Sequence, residues 1–118
     1  MLIWEMLQES EKKFSDITAV RWLQKKNILD RTYHELMENI KKIRYGLEEC
    51  GFAGKHIALI GNSSVEWIES YLGIITGKNV AVPLDAGLPA DDLTDLINRS
   101  DSEGLFLSLK AQNLLETI

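Results

Sequence analysis

Gly61-Asn62-Ser63-Ser64 stands where a short apolar run hands over to a helical pattern, and it is the first candidate for chemistry. A glycine- and serine-rich turn of this kind can converge backbone N–H groups on a phosphate, with the positive end of the helix dipole behind them. Such a site needs several glycines, so that the backbone can close on the anion, and usually a lysine to share its charge. Here there is one glycine, no lysine, and Glu66 in the first helical turn, where it would repel a phosphate. Ser63 and Glu66 have the spacing of a capping box, in which each side chain satisfies the other residue's free backbone N–H. The stretch reads as the start of a helix.

The remaining candidates are thinner. His34 lies at a helix start and His56 at a strand start, and the sequence reading gives neither an acidic or thiol partner at ligand spacing. Both read as surface or locally bonded histidines. The serines form no Gly-x-Ser-x-Gly elbow. Asp91 and Asp95 are an i,i+4 carboxylate pair, better explained by the favourable electrostatics of a helix start than by catalysis. Trp4, Trp22 and Trp67 could line a pocket, although packing in a core or interface is the commoner fate of tryptophan. Cys50 is the only cysteine, which excludes a disulfide framework and a CxxC metal pair. No catalytic, cofactor-binding or metal-binding residue is assigned.

The elements that would position these side chains follow from periodicity. Leu2, Ile3, Met6 and Leu7 form one stripe of a short amphipathic helix. Two apolar runs around the polar Gln24-Lys25-Lys26-Asn27 predict a β-hairpin. Thr32 and Glu35 form a capping box ahead of Tyr33, Leu36, Met37, Ile40, Ile43, Leu47 and Cys50 at helical spacing, and Gly51 follows as the C-terminal glycine. Residues 55–61 then read as a buried strand, 63–77 as a helix with a wide apolar arc, and 79–84 as a strand stopped by Pro83. Pro89 suits the first turn of a helix carrying Leu93, Leu96 and Ile97. Residues 104–108 form a third strand, and a last short helix is expected from about Lys110. Strand–helix–strand–helix–strand with short loops implies right-handed crossovers and a parallel sheet. The expectation is an α/β fold with at least three parallel strands in βαβαβ order. A helix and hairpin over 1–31 and a capped helix over 32–53 precede the unit at 55–118, all within one domain of 118 residues.

Composition bounds the function. The 118 residues are 45% hydrophobic, enough for a real core. Thirteen Lys and Arg against eighteen Asp and Glu give −5, which argues against general nucleic-acid binding. The charge is uneven, +1 over residues 1–55 and −6 over 56–118; the small basic cluster Lys41, Lys42, Arg44 reads as a solvated helix face. The N-terminus lacks the basic region and long apolar stretch of a signal peptide, and no run approaches a membrane span. A cytoplasmic location is the default expectation.

Taken in order, several stretches resemble the N-terminal part of the adenylate-forming (AMP-binding) superfamily. Arg31–Leu36, Gly54–Ile74, Val80–Asp85, Leu88–Leu93 and Ser100–Ser108 are similar to successive motifs there, most like those of long-chain fatty acyl-CoA synthetases. The resemblance covers residues 30–108 in unbroken order. It implies an N-terminal scaffold segment, part of the family's N-terminal subdomain. In the parent enzyme a carboxylate attacks the α-phosphate of ATP with Mg²⁺, and a thiol such as CoA then displaces AMP. The Ser/Thr/Gly-rich phosphate loop closed by lysine is absent, as are the adenine motif, the ribose-binding aspartate and the C-terminal catalytic lysine. The resemblance therefore carries no catalytic residue onto any position here.

The segment is expected to be inactive alone and to end as if cut from a longer chain. The remainder of that chain, with fatty acid, ATP and CoA, would be its partners, and the isolated piece should self-associate through uncovered apolar surface. The rival is a stand-alone α/β binding or dimerisation module. A response-regulator receiver fails because the strands end in Gly61-Asn62, Leu84-Asp85 and Ser108, and a dinucleotide-binding unit fails for want of GxGxxG.

Overall fold

The computed structural model describes residues 2–108. Nine elements follow one another: α1 (Ile3–Phe14), β1 (Thr18–Gln24), β2 (Asn27–Thr32), α2 (Tyr33–Glu49), β3 (His56–Ile60), α3 (Val65–Thr76), β4 (Val80–Leu84), α4 (Ala90–Arg99) and β5 (Ser102–Leu107). The expected helix beyond Lys110 lies outside the described residues.

The β1–β2 hairpin is antiparallel and closes through Lys25 and Lys26, both at positive φ (48° and 70°). Two consecutive left-handed residues are what a primed two-residue turn requires. Immediately after it, Thr32 caps α2. Its Oγ1 accepts from Glu35 N at 3.1 Å, while Glu35 Oε1 accepts from Thr32 N at 2.9 Å. At the far end Gly51, at φ +83°, turns the chain back. Gly51 N donates to Glu48 O and Phe52 N to Leu47 O, which is the Schellman pairing, and the Leu47 and Phe52 side chains meet in one apolar cluster. Cys50, read from periodicity as part of the buried stripe, is exposed at this C-cap.

The central sheet is parallel and runs β4-β3-β5, with Ile57 opposite Ala81 on one side and Gly104 on the other. Because β4 is added on one side of β3 and β5 on the other, right-handed crossovers put α3 and α4 on opposite faces. Leu47, Ile57 and Ile74 form the core beneath α2 and α3, joined by Ile43, Phe52, Ala81 and Phe106. A second cluster of Leu36, Met37, Ile40 and Val65 binds the hairpin and α1 to α2 through Trp4, Leu7, Val20 and Trp22. Leu93 of α4 is fully buried. Asn79 is buried in the loop before β4 and fully partnered: its side chain accepts from Lys55 N and donates to Phe52 O and Gly77 O.

Three further local expectations need correction. Pro83 does not stop its strand but lies inside β4, opposite Leu59. It is tolerated because β4 is an edge strand of the described sheet, where a missing N–H removes no ladder bond if it faces outward. The α1 stripe is turned: Trp4 and Leu7 face the core, whereas Leu2, Ile3 and Met6 are exposed. Trp4 decides this, because the Arg44 guanidinium lies 3.7 Å over its ring while donating to Thr76 O at the end of α3. Finally, α3 is capped by Ser64, one residue later than expected.

Candidate functional site

In an open parallel sheet, ligands bind beyond the carboxyl ends of the strands where the strand order reverses. Here the reversal lies between β3 and β5, and a crevice of about 100 Å³ occupies that position. Gly61, Asn62 and Ser108 form its floor, with Ser64, Glu66 and Trp67 of the α3 start on one wall. Gly61 lets the strand ends close together: a Cβ there would lie 3.1 Å from Ser108 Cβ.

The cap of α3 is built from Ser64, whose Oγ accepts from Trp67 N at 3.1 Å. Ser63 is exposed, and the residue three places after the true cap is Trp67, so the Ser63–Glu66 capping box does not form. One residue of offset is beyond sequence reading when two serines stand together, because both have the spacing to cap. Trp67 stacks on Tyr71, ring centroids 5.3 Å apart and planes 6° from parallel. Among the described residues the side chains lining the crevice include Glu66 and no lysine, arginine or histidine. Its chemistry is that of a small, partly apolar cleft with hydroxyl and amide groups, and its residues do not fit a triphosphate.

A second and larger feature is an apolar groove of about 400 Å³ between α2 and β5, lined by Ile43, Leu47, Phe52, Gly104 and Phe106 among others. Gly104 gives the Phe52 ring room there, since a Cβ would lie 3.2 Å from it.

The polar residues singled out from the sequence separate widely. His56 Nδ1 lies 2.7 Å from Ser100 O and is a local strand-end contact. Asp95 pairs at 3.5 Å with exposed Arg99, one turn on, and Asp91 stands in the first turn of α4. Trp22 lies beneath Arg31, 5.6 Å from ring centroid to guanidinium. His34 is an exposed histidine as expected, but it has acidic neighbours that the sequence reading did not give it. Its Nδ1 is 3.2 Å from Glu11 Oε2, and Glu38 is close enough that donor atoms of all three residues lie within 4.8 Å of one another. The His34-x-x-x-Glu38 spacing was a signal available in the sequence; the approach of Glu11 was not, because it depends on how α1 docks.

Sequence reasoning also missed a buried carboxylate. Glu69 of α3 is almost wholly buried and accepts from Asn39 Nδ2 at 2.8 Å. Arg31 Nε stands 3.0 Å from the same carboxylate oxygen, an ion-pair distance without hydrogen-bond alignment. Burial pushes the Glu69 carboxyl above the ordinary carboxylate value, against the opposing pull of Asn39 and Arg31. Glu35 is held below it, chiefly by the Thr32 backbone N–H. Glu69 ties hairpin, α2 and α3 together and lies away from the crevice lining.

Comparison with known proteins places these features. The family described as AMP-binding enzyme matches residues 7–117. The nonribosomal peptide synthetase criC of Aspergillus cristatus is 27% identical over 81 residues, which is 69% of this chain and 4% of that protein. Among solved structures, the anthranilate CoA ligase AuaEII in complex with anthranoyl-AMP superposes with a TM-score of 0.83 at 18% identity, covering 97% of this chain and 22% of that one. The fatty acid AMP ligase of Legionella pneumophila gives 0.81 at 17% identity, covering 90% and 19%. At these identities the structures establish the fold, and the chain spans a small fraction of the length of each relative.

Proposed function

Since this chain belongs to the AMP-binding enzyme family, we propose that it is an N-terminal scaffold segment of an ATP-dependent acid–thiol ligase, of the fatty acyl-CoA synthetase type, and inactive alone. The observation that carries the reading is the family match over residues 7–117, joined to a fold likeness that takes in nearly the whole chain but about a fifth of each structure compared. The parent would use ATP, Mg²⁺ and CoA. Activation is chemically necessary because a carboxylate is a poor electrophile: attack on the α-phosphate expels pyrophosphate and makes AMP the leaving group for the incoming thiol. Among the described residues the crevice offers a phosphate no cation and one repelling carboxylate, so no step of adenylation is assigned to them.

The role proposed for these residues is mechanical. They supply a parallel sheet whose β5 edge is unpaired among the described residues, and an apolar groove beside it for the rest of the parent chain to cover. Left uncovered, that surface would drive self-association of the isolated segment. The nonribosomal peptide synthetase relative supports a second reading, in which the parent activates an amino acid and passes it to a carrier-bound thiol.

ATP–pyrophosphate exchange with fatty, aromatic and amino acids, run on the 118-residue chain and on the full protein its gene encodes, tests this. The expected result is exchange by the full protein with fatty acids and none by the segment. Exchange by the segment would overturn the scaffold assignment, and exchange confined to amino acids would favour the second reading.

A further inference from the structure

We propose that Glu11, His34 and Glu38 form a site for a borderline divalent cation of the Zn²⁺ class, which clasps α1 to α2. His34 Nδ1 and Glu11 Oε2 are 3.2 Å apart. That is a hydrogen bond in the metal-free chain; two ligands at about 2.0–2.1 Å from a tetrahedral zinc are separated by roughly 3.3 Å, so a cation that replaced the shared proton would need little change in the pair's spacing. Glu38 follows His34 by one helical turn on the same face of α2, and donor atoms of all three residues lie within 4.8 Å of one another. Glu38 is about half exposed, which leaves room for the side-chain rotation that ligation would require.

The donor set selects the ion. One imidazole nitrogen and two carboxylates, with a fourth position open to water, suit zinc and its borderline neighbours. They do not suit calcium or magnesium, which take all-oxygen shells of six or more ligands. The site spans two elements: Glu11 comes from α1 and the other two ligands from α2. A cation held by both binds the docked state in preference to the undocked one, and stabilises it by mass action.

Two features oppose the cation and bound its affinity. Lys41 Nζ lies 3.7 Å from Glu11 Oε1 and 3.9 Å from Glu38 Oε1, and so serves as the counter-ion in the absence of metal. The cluster also sits in the first turns of α2, where the helix dipole is positive. Lys41 is about one-third exposed and has a flexible stem that can swing outward, so it competes with the metal without blocking it. That competition makes the proposal testable in both directions.

The experiment is calorimetric titration of the 118-residue chain with zinc chloride, paired with thermal unfolding. It compares wild type with His34→Ala, Glu11→Gln, Lys41→Met and the control Cys50→Ser. The expected result is one zinc per chain with a raised Tm. H34A and E11Q should each weaken binding by at least about tenfold, K41M should tighten it, and C50S should leave it unchanged. Absence of saturable binding in wild type and K41M alike would overturn the site. So would binding that survives H34A, or a preference for magnesium or calcium over zinc. None of these outcomes depends on the ligase reading.

Discussion

Replacing Gly73 with alanine measures how closely α2 and α3 are packed. Gly73 is buried in α3 against α2, and a Cβ at that position would lie 2.5 Å from Ile43 Cγ2 and 2.8 Å from Ile43 Cβ. The second contact decides the outcome. Ile43 Cβ is a branch point fixed to the α2 backbone, so no rotamer change removes it, and the two helices must move apart. With both contacts under 3.0 Å and one to an atom that cannot rotate away, the overpacking cost falls in the upper part of its usual range, about 2–3 kcal/mol, offset by about 1 kcal/mol of helix propensity gained on leaving glycine. The expected net is a loss of about 1–2 kcal/mol, a fall in Tm of roughly 3–10 °C for a domain of this size. Gly46 of α2 supplies the internal control. Nothing lies within 4 Å of a Cβ built there, so G46A should stabilise by about 0.5–1 kcal/mol. Urea titration and thermal unfolding by circular dichroism read both variants. A double-mutant cycle with I43A, which removes the 2.5 Å contact, should make G73A less costly than in wild type. A G73A variant as stable as wild type, alongside the expected gain for G46A, would refute the packing argument.

Removing the Ser64 hydroxyl should cost about 1 kcal/mol of stability and S63A less than about 0.5 kcal/mol; a larger loss from S63A in the same urea titration would place the cap at the wrong residue. The raised Glu69 carboxyl makes a signed prediction with pH. The folded chain holds that proton more tightly than the unfolded chain, so the linked stability is full below pH 4.5 and is lost as pH rises through the folded value. Wild type should therefore lose stability relative to E69Q as pH climbs from about 4.5, with the difference levelling off once Glu69 is ionised in the fold; parallel urea-midpoint profiles for the two proteins would sink this assignment.

The elements legible in the sequence were those fixed by neighbours along the chain. The Thr32–Glu35 capping box, the helix end at Gly51 and the hairpin around Gln24–Asn27 form as the sequence predicts, because each hydrogen bond closes within a few residues; the narrowing of the turn to Lys25 and Lys26 came from the structure. The βαβαβ order and the parallel sheet followed from short apolar runs, since βαβ connections have one allowed hand. Even local reading failed where two neighbours could serve equally, as with Ser63 and Ser64, or where an edge position excused a proline, as with Pro83.

Tertiary structure decided what depends on contacts between distant elements. The crevice at Gly61 and Ser108 exists because β5 pairs with β3, 47 residues away in the chain, and not with the strand that precedes it. Glu69 resembles any surface glutamate of an amphipathic helix until the hairpin brings Arg31 and α2 brings Asn39 over it. Glu11 becomes a partner of His34 only because Trp4, held under Arg44, turns α1 so that Leu7 and Glu11 face α2. Spacing along one chain encodes the periodicity of each element but not the rotation of one element against another. Side-chain packing chooses that rotation, and the buried carboxylate and the histidine cluster both follow from it.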